Sequence, residues 1–274
     1  LPSFLRGAIY IFRRQMMNNL KSWLVRIAPP AITIGLLLVV WEAAVRAGHV
    51  SERVLASPTQ IIASMVRTWP DLMDAAAITT YEALTGFAIA IVAGVLIGIG
   101  LYLSKTLHRA FYPLLVAAQT IPLITVAPLF MIWFGFETLG KIVIVAVFGV
   151  FPIAVQTARG LTAVPQFYED VALTCGATRA WALWHVKLRV AARQIFGGIR
   201  ISAAYIFGTA ATAEYLGAMN GLGIWLQAAF NSFRTPLIFS ATVVVIAETA
   251  ILLGLISLVE WLLLGNGADA DISE

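Results

Sequence analysis

Residues 170–179 read DVALTCGATR, set between apolar runs that are each long enough to cross a bilayer. Pro165 suits the first turn of a helix, and Gly176 suits the position just past its end. Between them Tyr168, Val171, Ala172 and Cys175 recur at helical spacing. Glu169 and Asp170 fall near the positive end of the helix dipole. The spacing predicts a short helix over 165–175, lying along a membrane surface. After a turn at Gly176, Thr178 is placed to cap a second helix with Trp181, Trp184, His185 and Leu188 on one face. Two readings fit this pattern: an interfacial loop that dips two tryptophans among lipid headgroups, or a rigid handle for a partner.

The flanking sequence sets the environment of that segment. Of 274 residues, 60% are hydrophobic and 12% charged. Soluble domains carry about 25% charged residues, so this composition describes a polytopic membrane protein. A hydrocarbon core of about 30 Å needs roughly 20 apolar residues per helix. Six spans are expected, near Pro29–Ala47, Ile78–Leu103, Phe111–Phe134, Lys141–Ala158, Ile195–Leu216 and Leu237–Leu264. Residues 1–28 mix apolar side chains with basic ones and read as an amphipathic interfacial segment. The first apolar stretch is interrupted by Arg6, Arg13 and Arg14, so no cleavable signal peptide is expected in it. A membrane domain over 29–266 and a short tail over 267–274 complete the expected organisation.

Thirteen of the 18 lysines and arginines fall on the side that carries both termini and the 163–193 loop, which predicts that side to be cytoplasmic. The net charge of +4 is too dispersed to form a nucleic-acid-binding stripe. With Cys175 the single cysteine, an intrachain disulfide is excluded and a cysteine-based metal site is not expected. On the opposite side, Ser57-Pro58 marks the start of a short surface helix, and GAMNGLGIWLQAAFNSFRTP (217–236) reads as turns, partly re-entrant against protein.

Other signals bear on chemistry. Gly135 to Lys141 matches G-x-x-x-x-G-K, but Ile142 stands where a phosphate-binding loop needs Ser or Thr. His49, His108 and His185 have no metal-ligand spacing. Gly94 and Gly98, extended by Gly100, permit close helix approach within the chain or to a second chain, and packing within the chain is favoured. Glu82, Glu214 and Glu248 lie inside expected spans, where an acid must face protein or water. A hydrogen bond to a neighbouring helix is favoured for Glu82 and Glu248. For Glu214, beside Thr209, Thr212 and Tyr215, a water-filled path is an equal alternative. No arginine cluster lies within the spans, although one would have favoured an anionic cargo.

The run DVALTCGATRAWALWHVKLRVAARQIFGGIRI (170–201) resembles the cytoplasmic loop of ABC importer permeases, whose form is E-A-A, three residues, G, about nine residues, then I-x-L-P. Asp170 stands for the acid, Val171 and Ala172 for the alanines, Gly176 for the glycine, and Val186 and Leu188 for the hydrophobic pair. IPLITVAPLFMIWFGF (121–136), FPIAVQTARGL (151–161) and AEYLGAMNGLG (213–223) are similar to the nitrate/sulfonate/taurine-type subgroup. Two family prolines are replaced, by Arg189 and Arg193, which implies either a more continuous helix into the fifth span or a pair of arginines that hold lipid phosphates at the inner surface.

The resemblance implies an all-α type I importer membrane domain in the bacterial inner membrane. It also implies a second permease chain, expected to be a second copy, two ATP-binding subunits that hold ATP and Mg, and an extracytoplasmic solute-binding protein. It implies no cofactor in this chain and no catalysis by it. Coupling to the ATPase would fall to Glu169, Asp170, Val171, Ala172, Cys175, Gly176, Ala177, Thr178 and Arg179. The path would be lined by Gln119, Thr120, Thr125, Thr209, Thr212, Glu214 and Tyr215. The cargo stays open among small oxyanions, sulfonates, bicarbonate and aromatic or pyrimidine-type compounds. The rival class is a stand-alone secondary transporter or channel, for which an internal repeat and a midplane site of broken helices are expected; no convincing repeat is seen.

Overall fold

Backbone that enters hydrocarbon must close its hydrogen bonds internally, and among the described residues every regular element is a helix. The computed structural model describes residues 28–217 and 219–265. The expected N-terminal interfacial segment and C-terminal tail lie outside them, apart from Ala28. Helix α1 spans Ala28–Ala47. It is followed by α2 (Pro58–Arg67), α3 (Trp69–Leu103), α4 (Lys105–Ala118), α5 (Leu123–Phe134), α6 (Thr138–Ala163) and α7 (Gln166–Thr174). Next come α8 (Arg179–Ala182), a π-helical turn (Leu183–Lys187), α9 (Leu188–Ala203), α10 (Ile206–Gly217), α11 (Leu222–Asn231) and α12 (Thr235–Leu264).

Five segments are long and apolar enough to cross a membrane: α1, α3, α6, the Arg179–Gly217 run and α12. A sixth exists only if α4 and α5 count together. The expected third span, Phe111–Phe134, is not one helix, because α4 and α5 meet at 106°. Pro122 is the physical cause. It has no N–H for a helical bond and disfavours helical backbone at Ile121. The fifth expected span begins earlier than Ile195. With arginines at 189 and 193, α9 continues without a kink from the π-helical turn to Ala203.

On α2, Ser57 forms a capping box with Gln60, each side chain meeting the other's backbone N–H. The 217–236 stretch contains more order than turns alone, since α11 packs on α10 and α12. Trp225 Nε1 donates to the Leu237 carbonyl at 3.1 Å, and Gln227 Nε2 donates to that of Tyr215 at 2.9 Å.

The centre of the fold is the seam between α3 and α6. Gly86, Ala90, Gly94 and Gly98 repeat at four-residue spacing down one side of α3. A Cβ on Gly86 would sit 2.7 Å from the Ile142 carbonyl, and one on Gly94 would sit 2.7 Å from Ile153 Cβ. Gly149 meets Ala90 from the α6 side. The small-residue pattern therefore serves packing within the chain. Gly100 takes no part, with nothing within 4 Å of its added Cβ. Gly98→Leu is expected to force these helices apart, at about 1–3 kcal/mol for overpacking alone. Gly100→Ala should leave the thermal midpoint unchanged or raise it. Equal midpoints for Gly98→Leu and wild type would discount the seam.

Candidate functional site

The segment around Gly176 folds as a helical hairpin. Helix α7 ends in a Schellman motif: Gly176 N–H bonds the Leu173 carbonyl at 2.9 Å and Ala177 N–H bonds that of Ala172 at 3.0 Å. The motif requires a left-handed residue, and Gly176 has φ +87°. Thr178 then caps α8, its Oγ1 accepting from Trp181 N–H at 3.2 Å. Pro165 sits one position before the helix, at the cap, rather than in its first turn.

Three elements meet behind this hairpin. Lys187, in the π-helical turn, pairs with the Glu169 carboxylate on α7 and donates to the Tyr102 hydroxyl at the end of α3. Its side chain is 7% exposed and that of Glu169 19%. A cation that is nearly buried but bonded twice fixes its partners in place. Neither Lys187 nor Tyr102 is legible as a site residue in the sequence, because Glu169 lies 18 positions from one and 67 from the other.

The front of the hairpin is open. Phe167 is 69% exposed and Trp181 48%. With Tyr168, Val171, Cys175 and Val186 they wall a shallow apolar hollow. Asp170 and Arg179 are exposed at its margin and make no ion pair among the described residues. Ala172 lies at the floor of the hollow and is buried. Trp181 stacks on His185 with ring centroids 4.5 Å apart. The result is a stiff, capped, partly apolar projection.

The expected path residues separate into three places. Gln119, Thr120 and Thr125 are exposed at or near the α4–α5 bend, where Thr120 Oγ1 donates to the Ala117 carbonyl at 2.8 Å. Thr212 and Tyr215 border a hollow shared with α11 and α12, and Thr212 Oγ1 donates to the Gly208 carbonyl at 2.7 Å. Thr209 and Glu214 are buried inside the chain, Glu214 completely. The α11 N-terminus explains the burial of Glu214. That terminus has unpaired N–H groups and a glycine cap without a side chain. Glu214 Oε2 accepts from Gly223 N–H at 2.7 Å and from Thr79 Oγ1 at 3.0 Å. Thr79 Oγ1 in turn accepts from Leu222 N–H at 2.9 Å. Glu214 thus supplies a cap from a neighbouring helix, with its carboxyl group at the positive end of the α11 dipole.

Beside it, Lys141 Nζ lies 2.9 Å from Glu82 Oε1, with side chains 5% and 0% exposed. The lysine of the P-loop-like run is therefore engaged in a buried ion pair. Glu248 accepts from Thr80 at 2.8 Å. Glu248 thus has the neighbouring-helix hydrogen bond favoured for it, whereas Glu82 is held by an ion pair to α6 instead.

These features define a polytopic membrane protein with a rigid surface hairpin braced on its spanning helices. Residues 90–264 match the binding-protein-dependent transport system inner membrane component, and the chain belongs to that family. It is 32% identical over 212 residues to the formylaminopyrimidine transport permease protein ThiX of Halalkalibacterium halodurans, covering 77% of this chain and 84% of that one. It is 32% identical over 231 residues to the taurine transport system permease protein TauC of Escherichia coli (strain K12), covering 81% and 83%. A solved structure of the MetNI methionine ABC transporter in an inward-facing conformation has the same fold, with TM-score 0.59 and 20% identity over 70% of this chain and 94% of that one. The chain is thus a multi-pass ABC importer permease, a transport component of the inner membrane. The resemblance carried by its four sequence runs is borne out.

Proposed function

We propose that this chain forms the translocation path of an ATP-driven importer and that its α7–α8 hairpin is the handle by which separate ATP-binding subunits move it. The observation that carries this reading is the hairpin itself. A solvent-facing loop has no reason of its own to hold a Schellman turn, a threonine cap and a braced lysine behind an exposed apolar hollow. Such a shape fits docking, because a fixed projection transmits displacement and large exposed apolar patches mark interaction sites.

In the proposed assembly two copies of the permease pair with two ATP-binding subunits, which hold ATP and Mg, and an extracytoplasmic protein delivers the solute. The hairpin and both termini are cytoplasmic, supported by the excess of basic residues on that side. Residues 29–266 form the permease domain, flanked by the interfacial segment 1–28 and the tail 267–274. Gln119, Thr120, Thr125, Thr212 and Tyr215 are the candidates for the path wall. Thr209 and Glu214 hold the fold.

Cys175 provides the test, being the single cysteine and exposed on the hairpin. A membrane-impermeant maleimide is expected to label it in inside-out vesicles stripped of ATP-binding subunits, and rebinding those subunits should block the label. Equal labelling with and without them would remove the hairpin as the docking surface.

A further inference from the structure

A further hollow lies between α4, α6 and α9. Its polar lining consists of Tyr112 from α4, Gln119 at the cap just past its end, and Gln156 and Arg159 from α6. Hydropathy ends the fourth expected span at Ala158 and leaves Arg159 in a loop. Helix α6 instead runs on to Ala163, so the arginine belongs to a membrane-spanning helix.

Three observations give this hollow a chemical preference. Arg159 is exposed and has no ion pair or hydrogen bond among the described residues. No acid lines the hollow, so its charge is uncompensated. The rest of the polar lining is rich in donors: a tyrosine hydroxyl and two side-chain amides beside the five N–H groups of a guanidinium. Gln156 Oε1 already accepts from Gln194 Nε2 at 2.9 Å, which leaves its amide N–H groups to donate. A guanidinium presents a planar fork that matches an oxyanion, and a charge in an apolar span needs a partner or water.

We propose that this hollow is a subsite for an oxyanion, of the sulfonate, carboxylate or phosphate kind. It narrows the cargo of the permease read above and rests on that reading for the oxyanion's being part of a transported solute. Arg159 is four residues from the end of α6, about 6 Å along the axis, so a lipid headgroup phosphate offers the same chemistry. The test separates the two sources.

The test uses the full chain with Cys175→Ser and Gln119→Cys, reconstituted without other subunits in phosphatidylcholine vesicles. Two thiol reagents of similar size are compared, sulfonatoethyl and trimethylammonioethyl methanethiosulfonate. The anionic reagent is expected to react about tenfold faster relative to the cationic one than it does after Arg159→Gln, the effect of one nearby charge on two reagents of opposite sign. Arg159→Lys should keep most of that ratio. Protection of the thiol introduced by Gln119→Cys is read on the same variant: taurine, nitrate or phosphate slowing the reaction assigns the oxyanion to a solute. Slowing by added phosphatidylglycerol alone assigns it to a headgroup and overturns the cargo reading. A ratio unchanged by Arg159→Gln overturns the subsite altogether. None of these readouts depends on docking at the hairpin, so a failure at Cys175 and a failure here are distinguishable.

Discussion

Lys141→Met is expected to abolish recovery of a folded, assembled permease. The substitution keeps the length of the side chain and removes the charge that Glu82 depends on. With Glu82 fully buried, losing one partner of the pair costs about 3–5 kcal/mol, because the other charge is left without compensation. Total stabilities are only about 5–15 kcal/mol. Size-exclusion chromatography in mild detergent, with a thermal midpoint, reads the effect. Replacing both members, as Lys141→Met with Glu82→Met, should restore much of the yield, since an apolar pair of similar volume is often neutral. A single variant with a wild-type midpoint would show that the pair does not anchor the fold.

Gly176→Val is expected to leave the chain inserted and assembled while uptake falls about tenfold or more. An added Cβ meets nothing within 4 Å, so space is not the obstacle. The obstacle is φ +87°, where an L-residue pays about 1–2 kcal/mol and a β-branched one is a clear outlier. Relief of that strain breaks the Gly176 and Ala177 bonds and changes the angle between α7 and α8. A misalignment of about 1.4 kcal/mol at a docking surface is a factor of ten. Gly176→Asn is the control, because asparagine tolerates the left-handed region, and it should keep most of the uptake. Normal uptake by Gly176→Val at normal assembly would overturn the coupling role.

Local features are the ones legible in the sequence. Apolar length locates most of the spanning helices, and the Gly176 and Thr178 signals locate both ends of the hairpin turn, because each rests on chemistry within a few residues. Pro122 is also visible, yet hydropathy sums over a window without registering lost backbone bonds, so the α4–α5 break reads as one span. The brace at Lys187 joins residues far apart in the chain, and no periodicity carries that information. Glu214 shows a different limit. Its threonine-rich surroundings suggest a wet wall, but Thr212 bonds its own helix, while Glu214 and Thr79 complete the start of α11. Which acceptor a polar side chain finds depends on the neighbouring helix, which the local sequence does not name.

The π-helical turn at Leu183–Lys187 has a consequence for how such a chain can change over generations. A π turn is an α-helix carrying one surplus residue, and each residue advances a helix by about 100°. Deleting one residue there would restore regular winding, and because the wider turn absorbs its surplus residue by winding less per residue, the hairpin would keep its azimuth relative to the span beyond it. The docking face and the membrane face are therefore joined by a segment that tolerates a change of length. A single deletion at that turn can be taken up without re-aiming either face.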